Sequence, residues 1–391
     1  MIVAGVMSGT SADGIDVALV RISGEPQAPK IQLREHDHFR YPRTVRRAVL
    51  AAMNAQAARV ADLARLDFLL GDLYSEAVAK LCTLHRIRVE LVGCHGQTLY
   101  HQGEPSSFLG RRLTTTWQTG EGSWIASRLK VPVVSDFRPA DMAAGGKGAP
   151  LVPLLDVAFY SHQEKLRVLQ NLGGIGNLTI IPPGSSLNDL RKVVAFDTGP
   201  GNMVIDGCCQ KLFAKPYDNN GGIAAKGRVL PKVLERALKH DFFSLRPPKT
   251  AGREEFGREF VASFLQWCGP RASKFDVMAT ATALTAASIG DALRKALSRS
   301  GPKLSSIGES AEYVASGGGV MNRTLMRMIA EQVQPLGFRV LTSDNLGMPS
   351  QAKEAVAFAL LAYRTWHRQP GNVPRATGAK RPAVLGKISY P

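Results

Sequence analysis

The chain has 391 residues, 45% of them hydrophobic, and a formal net charge of +17. That length exceeds one ordinary core and predicts two domains, and the composition excludes a disordered or fibrous chain. The Lys and Arg residues are scattered, with small clusters at Arg43–Arg47 and at Arg375, Lys380 and Arg381; without a stripe or a nucleic-acid motif, they read as a basic solvated surface.

Residues 2–6 are an apolar strand that meets the small-residue turn Met7-Ser8-Gly9-Thr10-Ser11-Ala12-Asp13-Gly14. Residues 15–22 alternate as a second strand. Strand, Gly turn, strand is a β-hairpin signature, not a P-loop or a Rossmann unit. Residues 42–85 carry long helical patterns, and 88–94 make a strand that delivers His95-Gly96-Gln97-Thr98 into a loop. A helix over 121–130, a buried strand over 131–135, Asp136-Phe137-Arg138 and a turn-rich stretch from 143 to 150 follow.

The logic then repeats. Residues 166–171 lead through Leu172-Gly173-Gly174-Ile175-Gly176-Asn177 into a strand at 178–181, so the two glycine turns lie about 165 residues apart. The stretch 182–192 is polar and turn-rich, like a loop insertion. A strand at 192–196 presents Asp197-Thr198-Gly199-Pro200-Gly201-Asn202 ahead of a helix at 203–213. Helices are predicted over 226–240, 254–267 and 279–299. A strand at 312–315 ends in Ser316-Gly317-Gly318-Gly319 before a helix at 322–333; the last long helix is 351–367. A basic tail, 373–382, leads to a short strand at 383–388. Two similar α/β halves with a cleft between them are implied.

Five cysteines, at 82, 94, 208, 209 and 268, are odd in number and lack CxxC spacing. That argues against a disulfide framework or a zinc site and for free thiols in a reducing compartment. No apolar run reaches membrane-spanning length, and no charged leader precedes the first strand, so a cytoplasmic protein is expected.

Three glycine turns carry the chemistry. In Ser8–Asp16 the glycines let backbone approach an anion, Thr10 and Ser11 add hydroxyls, and Asp13 or Asp16 can hold hydrated Mg²⁺ through water; the same residues also suit a plain hairpin turn. Asp197 sits at a strand end behind glycines, with the open approach that a general base needs, yet an Asx turn would look the same. Gly317, Gly318 and Gly319 give a backbone surface for a flat ligand or phosphate, or only a connector. His95, Arg138 and Glu354 are weaker candidates; each has a structural reading beside the functional one.

Taken together, M-S-G-T-S-x-D-G-I-D, H-G-Q-T at 95–98, D-F-R at 136–138, G-x-G-A-P-L-V-P at 146–153, N-L-G-G-I-G-N at 171–177, F-D-T-G-P-G-N at 196–202, S-G-G-G at 316–319 and Q-A-K-E-A at 351–355 resemble the anhydro-N-acetylmuramic acid kinase family. The likeness runs to T-G-A-x-R-P-x-V-L-G at 377–386. It implies an α/β, two-domain actin-like ATPase (ribonuclease H-like) fold with an ATP cleft between domains. The first domain is expected over 1–133 plus 370–391 and the second over 134–369.

The resemblance also implies site residues. Asp197 is the catalytic base. Gly9, Thr10, Ser11, Ala12, Asp13, Gly14, Ile15 and Asp16 hold ATP, with Gly317, Gly318 and Gly319 on the adenosine side. His95, Thr98, Gln118, Arg138 and Glu354 lie near the sugar, Glu354 also near the Mg²⁺ carried by ATP. The expected partners are ATP and an anhydrosugar, with no nucleic acid and no membrane, and a homodimer is allowed. The expected reaction opens 1,6-anhydro-N-acetylmuramate and phosphorylates O6; levoglucosan kinases on the same scaffold are the alternative.

Overall fold

The computed structural model describes residues 1–9, 11–53, 55–300 and 311–391. Thr10, one of the expected ATP residues, lies outside the described residues. The strands in chain order are β1 (Ile2–Ser8), β2 (Gly14–Ser23), β3 (Lys30–Arg40), β4 (Leu91–Phe108), β5 (Arg111–Thr119) and β6 (Val133–Ser135). They continue as β7 (Arg167–Leu172), β8 (Ile175–Ile181), β9 (Val194–Pro200), β10 (Ala311–Ser316), β11 (Phe338–Thr342) and β12 (Lys387–Ser389).

The chain divides into two compact units. The first comprises 1–160, 185–193 and 351–391, and the second 161–184 and 194–350. In the first, β1, β2 and β3 form an antiparallel meander, and β4 and β6 extend it in parallel from β1; β12 closes the edge and β5 folds back on β4. In the second, β7, β8 and β9 form the meander, and β10 and β11 extend it in parallel from β7. The strand order, meander then parallel extension, is the same in both units. That is the duplicated α/β arrangement the two glycine hairpins implied.

The central strands of the first sheet are apolar because a helix covers them. Helix Lys353–Trp366 is buried from Ala355 to Thr365 and packs on β1, β4 and β2. It reaches the sheet at backbone distance because Gly5 of β1 and Gly93 of β4 are register partners. A Cβ on Gly5 would overlap the carbonyl of Ala355, and one on Gly93 the carbonyl of Phe358. A buried ion pair, Lys353 Nζ to Asp156 Oδ1 at 2.7 Å, fixes the start of this helix. In the second unit the core is aromatic: Phe242, Phe243, Phe256, Phe260 and Phe264 pack with residues of helix Lys274–Ser300.

The units depart from the domain boundaries read from the sequence. Residues 134–160 and 351–369, expected in the second domain, belong to the first unit, as does 185–193, which takes in most of the supposed loop insertion at 182–192. The reason is helix Lys353–Trp366, whose buried side packs on the first sheet. Strands β3, β5 and β11 were not foreseen, nor was the run of β4 past Cys94, which puts His95, Gly96, Gln97 and Thr98 in the strand and not in a loop. Helices Phe137–Ala143 and Pro153–Tyr160 also replace stretches without assigned structure. All five cysteines are free; Cys94, Cys208 and Cys209 are buried and the other two half-buried. No helix among the described residues is long and apolar enough to cross a membrane.

Candidate active site

In the first unit, the turn between β1 and β2 closes through Ala12 N–H to the Gly9 carbonyl at 3.1 Å. Its residues have different fates. Gly9 faces open space, with nothing closer than Ser11 Oγ at 3.8 Å from an added Cβ. Ser11 and Asp13 are exposed and bonded to each other, Oγ to Oδ1 at 2.7 Å. Ala12 and Ile15 turn their side chains into the core, so only their backbone is available. Gly14 is required by packing: a Cβ there would strike Phe39 and His38 of β3. Arg46, read from the sequence as part of a surface charge cluster, donates from Nε to the Ala12 carbonyl at 3.1 Å.

Asp16 is half-buried on β2. Its Oδ1 lies 3.1 Å from His38 Nδ1 and 3.5 Å from His36 Nε2, both on the unforeseen strand β3. Glu354, in the first turn of helix Lys353–Trp366, has its carboxyl pushed up by burial and by the Asp16 charge, against the pull of Arg138 and Lys353. Two carboxylates near each other in a partly desolvated place favour a cation. That fits the hydrated Mg²⁺ expected with ATP.

His95 and Arg138 form one unit. His95 Nδ1 lies 2.7 Å from the Gly96 carbonyl, which assigns the proton to Nδ1. Nε2 then accepts from Arg138 Nε at 3.1 Å and Nη2 at 2.9 Å. Burial, reinforced by the Arg138 charge, holds the imidazole pKa well below its ordinary value, so it stays a neutral acceptor. Arg138 Nη1 donates to the Gly148 carbonyl at 2.9 Å, and burial draws the guanidinium down to about 10. Gly148 N–H is held by Asp141 Oδ2 at 2.8 Å. Asp141 Oδ1 also accepts from Thr377 Oγ1 at 2.7 Å and Asn372 Nδ2 at 2.8 Å, which ties the G-x-G-A-P loop to the C-terminal T-G-A segment.

Thr98 and Gln118 are cross-strand partners on β4 and β5. Gln118 Nε2 donates to Thr98 Oγ1 at 3.2 Å and Thr116 Oγ1 at 2.8 Å, while its buried Oε1 has no protein partner. A buried acceptor left open in this way suits a ligand hydroxyl or amide. His101, missed in the sequence, bonds Thr116 Oγ1 at 3.0 Å and is pushed down to about 4 by burial and the Arg138 charge.

In the second unit, Asp197 sits on the edge strand β9. Its backbone N–H donates to the Lys249 carbonyl at 3.0 Å, and its Oδ2 accepts from Ala251 N–H at 2.8 Å. The loop after it is stapled onto the second glycine hairpin: Gly201 N–H donates to Gly174 O at 2.9 Å and Asn202 N–H to Gly173 O at 2.8 Å. The triple glycine is not uniform. Gly317 has φ +84°, and a Cβ there would lie 2.6 Å from Asn171 Oδ1. At Gly319 it would lie 2.6 Å from Leu172 Cβ, and at Gly318 it would meet nothing within 4 Å. Only Gly318 faces open space.

The structure therefore gathers Asp16, Glu354, Arg138, His95, Thr98 and Gln118 in the first unit, and Asp197 and the triple glycine in the second. The family model for anhydro-N-acetylmuramic acid kinase matches residues 1–391. The chain belongs to that family.

As a member, this kinase uses ATP. An anhydro-N-acetylmuramic acid kinase of Bacillus cereus (strain AH187) is 43% identical over 394 aligned positions, covering all of both chains. One of Bacillus thuringiensis subsp. konkukian (strain 97-27) is 42% identical with the same coverage. These relatives do not favour a levoglucosan or general hexose kinase. Among solved structures, (R)-2-hydroxyglutaryl-CoA dehydratase component A of Acidaminococcus fermentans is 12% identical, with a TM-score of 0.43 over 93% of this chain and 98% of that one.

Proposed function

We propose that this kinase converts 1,6-anhydro-N-acetylmuramate, water and ATP to N-acetylmuramate 6-phosphate and ADP, with Asp197 as the base. The observation that carries the assignment is the carboxylate of Asp197, which accepts from the Ala251 N–H and stands in the middle of β9, not at its end as the sequence suggested, with Gly199 and Gly201 following it. Such a group takes a proton from water as the water oxygen bonds to C1. The C1–O6 bond breaks, and O6 takes the γ-phosphoryl group as its bond to the β-phosphate oxygen of ATP breaks. Phosphoryl capture does the work that an acid does for the leaving oxygen in ordinary glycoside cleavage.

The other residues bind and orient. The turn Gly9–Asp16 receives the phosphates through backbone at Gly9, with Ser11 and Asp13 at its rim. Gly318 gives the open surface for the adenosine side, with Gly317 and Gly319 setting its shape. Arg138, fixed by His95, and the Thr98–Gln118 pair orient the sugar. Glu354 and Asp16 would hold the hydrated Mg²⁺ carried by ATP, which would supply positive charge to the phosphates. The ATP supply places the reaction in the cytoplasm, and neither a nucleic acid nor a membrane takes part. The exposed aromatic residues Phe68, Trp117 and Trp124 suit self-association as a homodimer.

A coupled ADP-release assay with 1,6-anhydro-N-acetylmuramate, run beside levoglucosan and N-acetylglucosamine, tests the reading. Turnover is expected on the first sugar and little on the others. Run in H₂¹⁸O, the label should appear on C1 of the product. Label in phosphate would mean plain ATP hydrolysis and overturn the mechanism.

A further inference from the structure

Beneath the turn between β1 and β2 lies a buried polar chain that the proposed reaction leaves without a role. Tyr74 Oη lies 3.1 Å from Tyr41 Oη, and Tyr41 donates to Ser8 Oγ at 2.9 Å. Ser8 Oγ has a single proton, directed to Gln97 Oε1 at 2.7 Å and the Gly14 carbonyl at 2.9 Å. Gln97 Nε2 then donates to the Gly9 carbonyl at 3.1 Å and lies 4.0 Å from Met53 Sδ. Gln97 and Tyr74 are fully buried, and Ser8 nearly so. Burial pushes both tyrosines far above neutral pH, Tyr41 to about 12, so the direction of the chain does not change with pH in the working range.

Two facts single out Gln97. The Gly9 carbonyl it holds is the same oxygen that accepts Ala12 N–H and closes the turn. And Gln97 stands on β4 between His95, which fixes Arg138, and Thr98, which bonds Gln118. One side chain thus joins the turn of the first hairpin to the strand that carries the expected sugar residues.

We propose that Gln97 is a positioning residue that sets the phosphate turn through Gly9 and couples it to the sugar-side residues of β4, an inference that rests on the function proposed above. A buried amide cannot give up a partner without leaving a polar group unpaired. A shift of β4 on sugar binding therefore carries Gly9 with it. Reciprocity requires that each ligand then change the affinity of the other by the same factor.

The experiment measures binding of a non-hydrolysable ATP analogue to the full chain, with and without 1,6-anhydro-N-acetylmuramate. In the wild type the sugar should tighten the analogue by at least about fivefold. Gln97→Glu is nearly isosteric and still accepts from Ser8, but it turns an oxygen toward the Gly9 carbonyl. It should weaken the analogue by about tenfold and cut the sugar effect to less than about twofold, with the sugar alone binding as before. Gln97→Met, apolar and of similar length, should do the same and serves if the Glu variant fails to fold. Unchanged analogue affinity and sugar effect in a folded variant would overturn the proposal. So would an equal loss for both ligands, the mark of a merely structural role, or a wild type with no sugar effect. Wild-type turnover, measured separately, shows whether the proposed reaction itself has failed.

Discussion

Arg138 places two of its nitrogens on one acceptor, Nε2 of His95, at 3.1 and 2.9 Å. The pairing works only with a neutral imidazole, and burial together with the Arg138 charge keeps it neutral. His95→Phe keeps the ring that packs on Phe358, at 4.6 Å between centroids, but removes the acceptor. Under the proposed reaction the freed guanidinium loses its aim, so KM for the sugar should rise about tenfold or more, equivalent to one charge-assisted hydrogen bond. KM for ATP should stay within about twofold, since 1.4 kcal/mol is needed for tenfold. Steady-state kinetics on both substrates checks this, and an unchanged sugar KM removes Arg138 from recognition.

Asp197→Asn should leave the fold intact, because the amide oxygen can still accept from Ala251 N–H. A base of this kind contributes about 10²–10⁴-fold, so kcat should fall by that much while both ligands still bind. A variant that keeps more than about a tenth of wild-type kcat falls short of that range and takes Asp197 out of the mechanism.

The three glycines at 317–319 should separate cleanly. Gly317→Ala and Gly319→Ala place a Cβ against Asn171 and Leu172, the first also at φ +84°, and each should cost about 2 kcal/mol or more of stability. Gly318→Ala meets nothing and should melt like the wild type while weakening nucleotide binding. Thermal melts beside analogue titrations read the two effects independently; equal melting temperatures for all three variants would contradict the packing.

Asp206, in the first turn of helix Met203–Phe213, has its carboxyl raised from 3.8 to about 7 by burial and then by Asp218. The folded state therefore keeps a proton that the unfolded chain has released between these two values. The stability this provides is complete below the unfolded pKa and is lost as pH rises through about 7. Asn carries no such dependence. Asp206→Asn should thus gain in denaturant midpoint relative to the wild type between about pH 5 and about pH 8. A difference that stays flat or shrinks with rising pH would show that the carboxyl is not raised.

The sequence made some of this legible and hid the rest for identifiable reasons. Both glycine hairpins could be read because apolar strands end abruptly at small residues. β3 could not, because Lys30–Arg40 is rich in charge and histidine; what makes it a strand is its pairing along β2 from Gly14↔Arg40 to Ser23↔Lys30. The extension of β4 holds Gly103 and Pro105, which read as loop, and it is held instead by β5. The glycines misled in another way. Composition suggested that Gly14, Gly317 and Gly319 clear space for a ligand, whereas each is pressed against protein; of the glycines in these two turns, Gly9 and Gly318 look outward. Asp16 was picked out, but its two histidines were not, since they come from the strand that was missed.

The backbone contact of helix Lys353–Trp366 with Gly5 and Gly93 has a consequence for how the molecule is made. Gly5→Ala or Gly93→Ala should cost about 3 kcal/mol or prevent folding, because the clash is with main chain that cannot step aside. Yet the partner of those two glycines follows the second unit in the chain. A nascent chain carries β1 and β2 before it carries that helix and lacks the cover of that sheet until residue 353 and beyond have emerged. The first unit is thus completed only after the second unit has been translated. A fragment ending at residue 350 should leave the apolar face of β1 and β4 bare and bind chaperone or aggregate, however well its second unit folds.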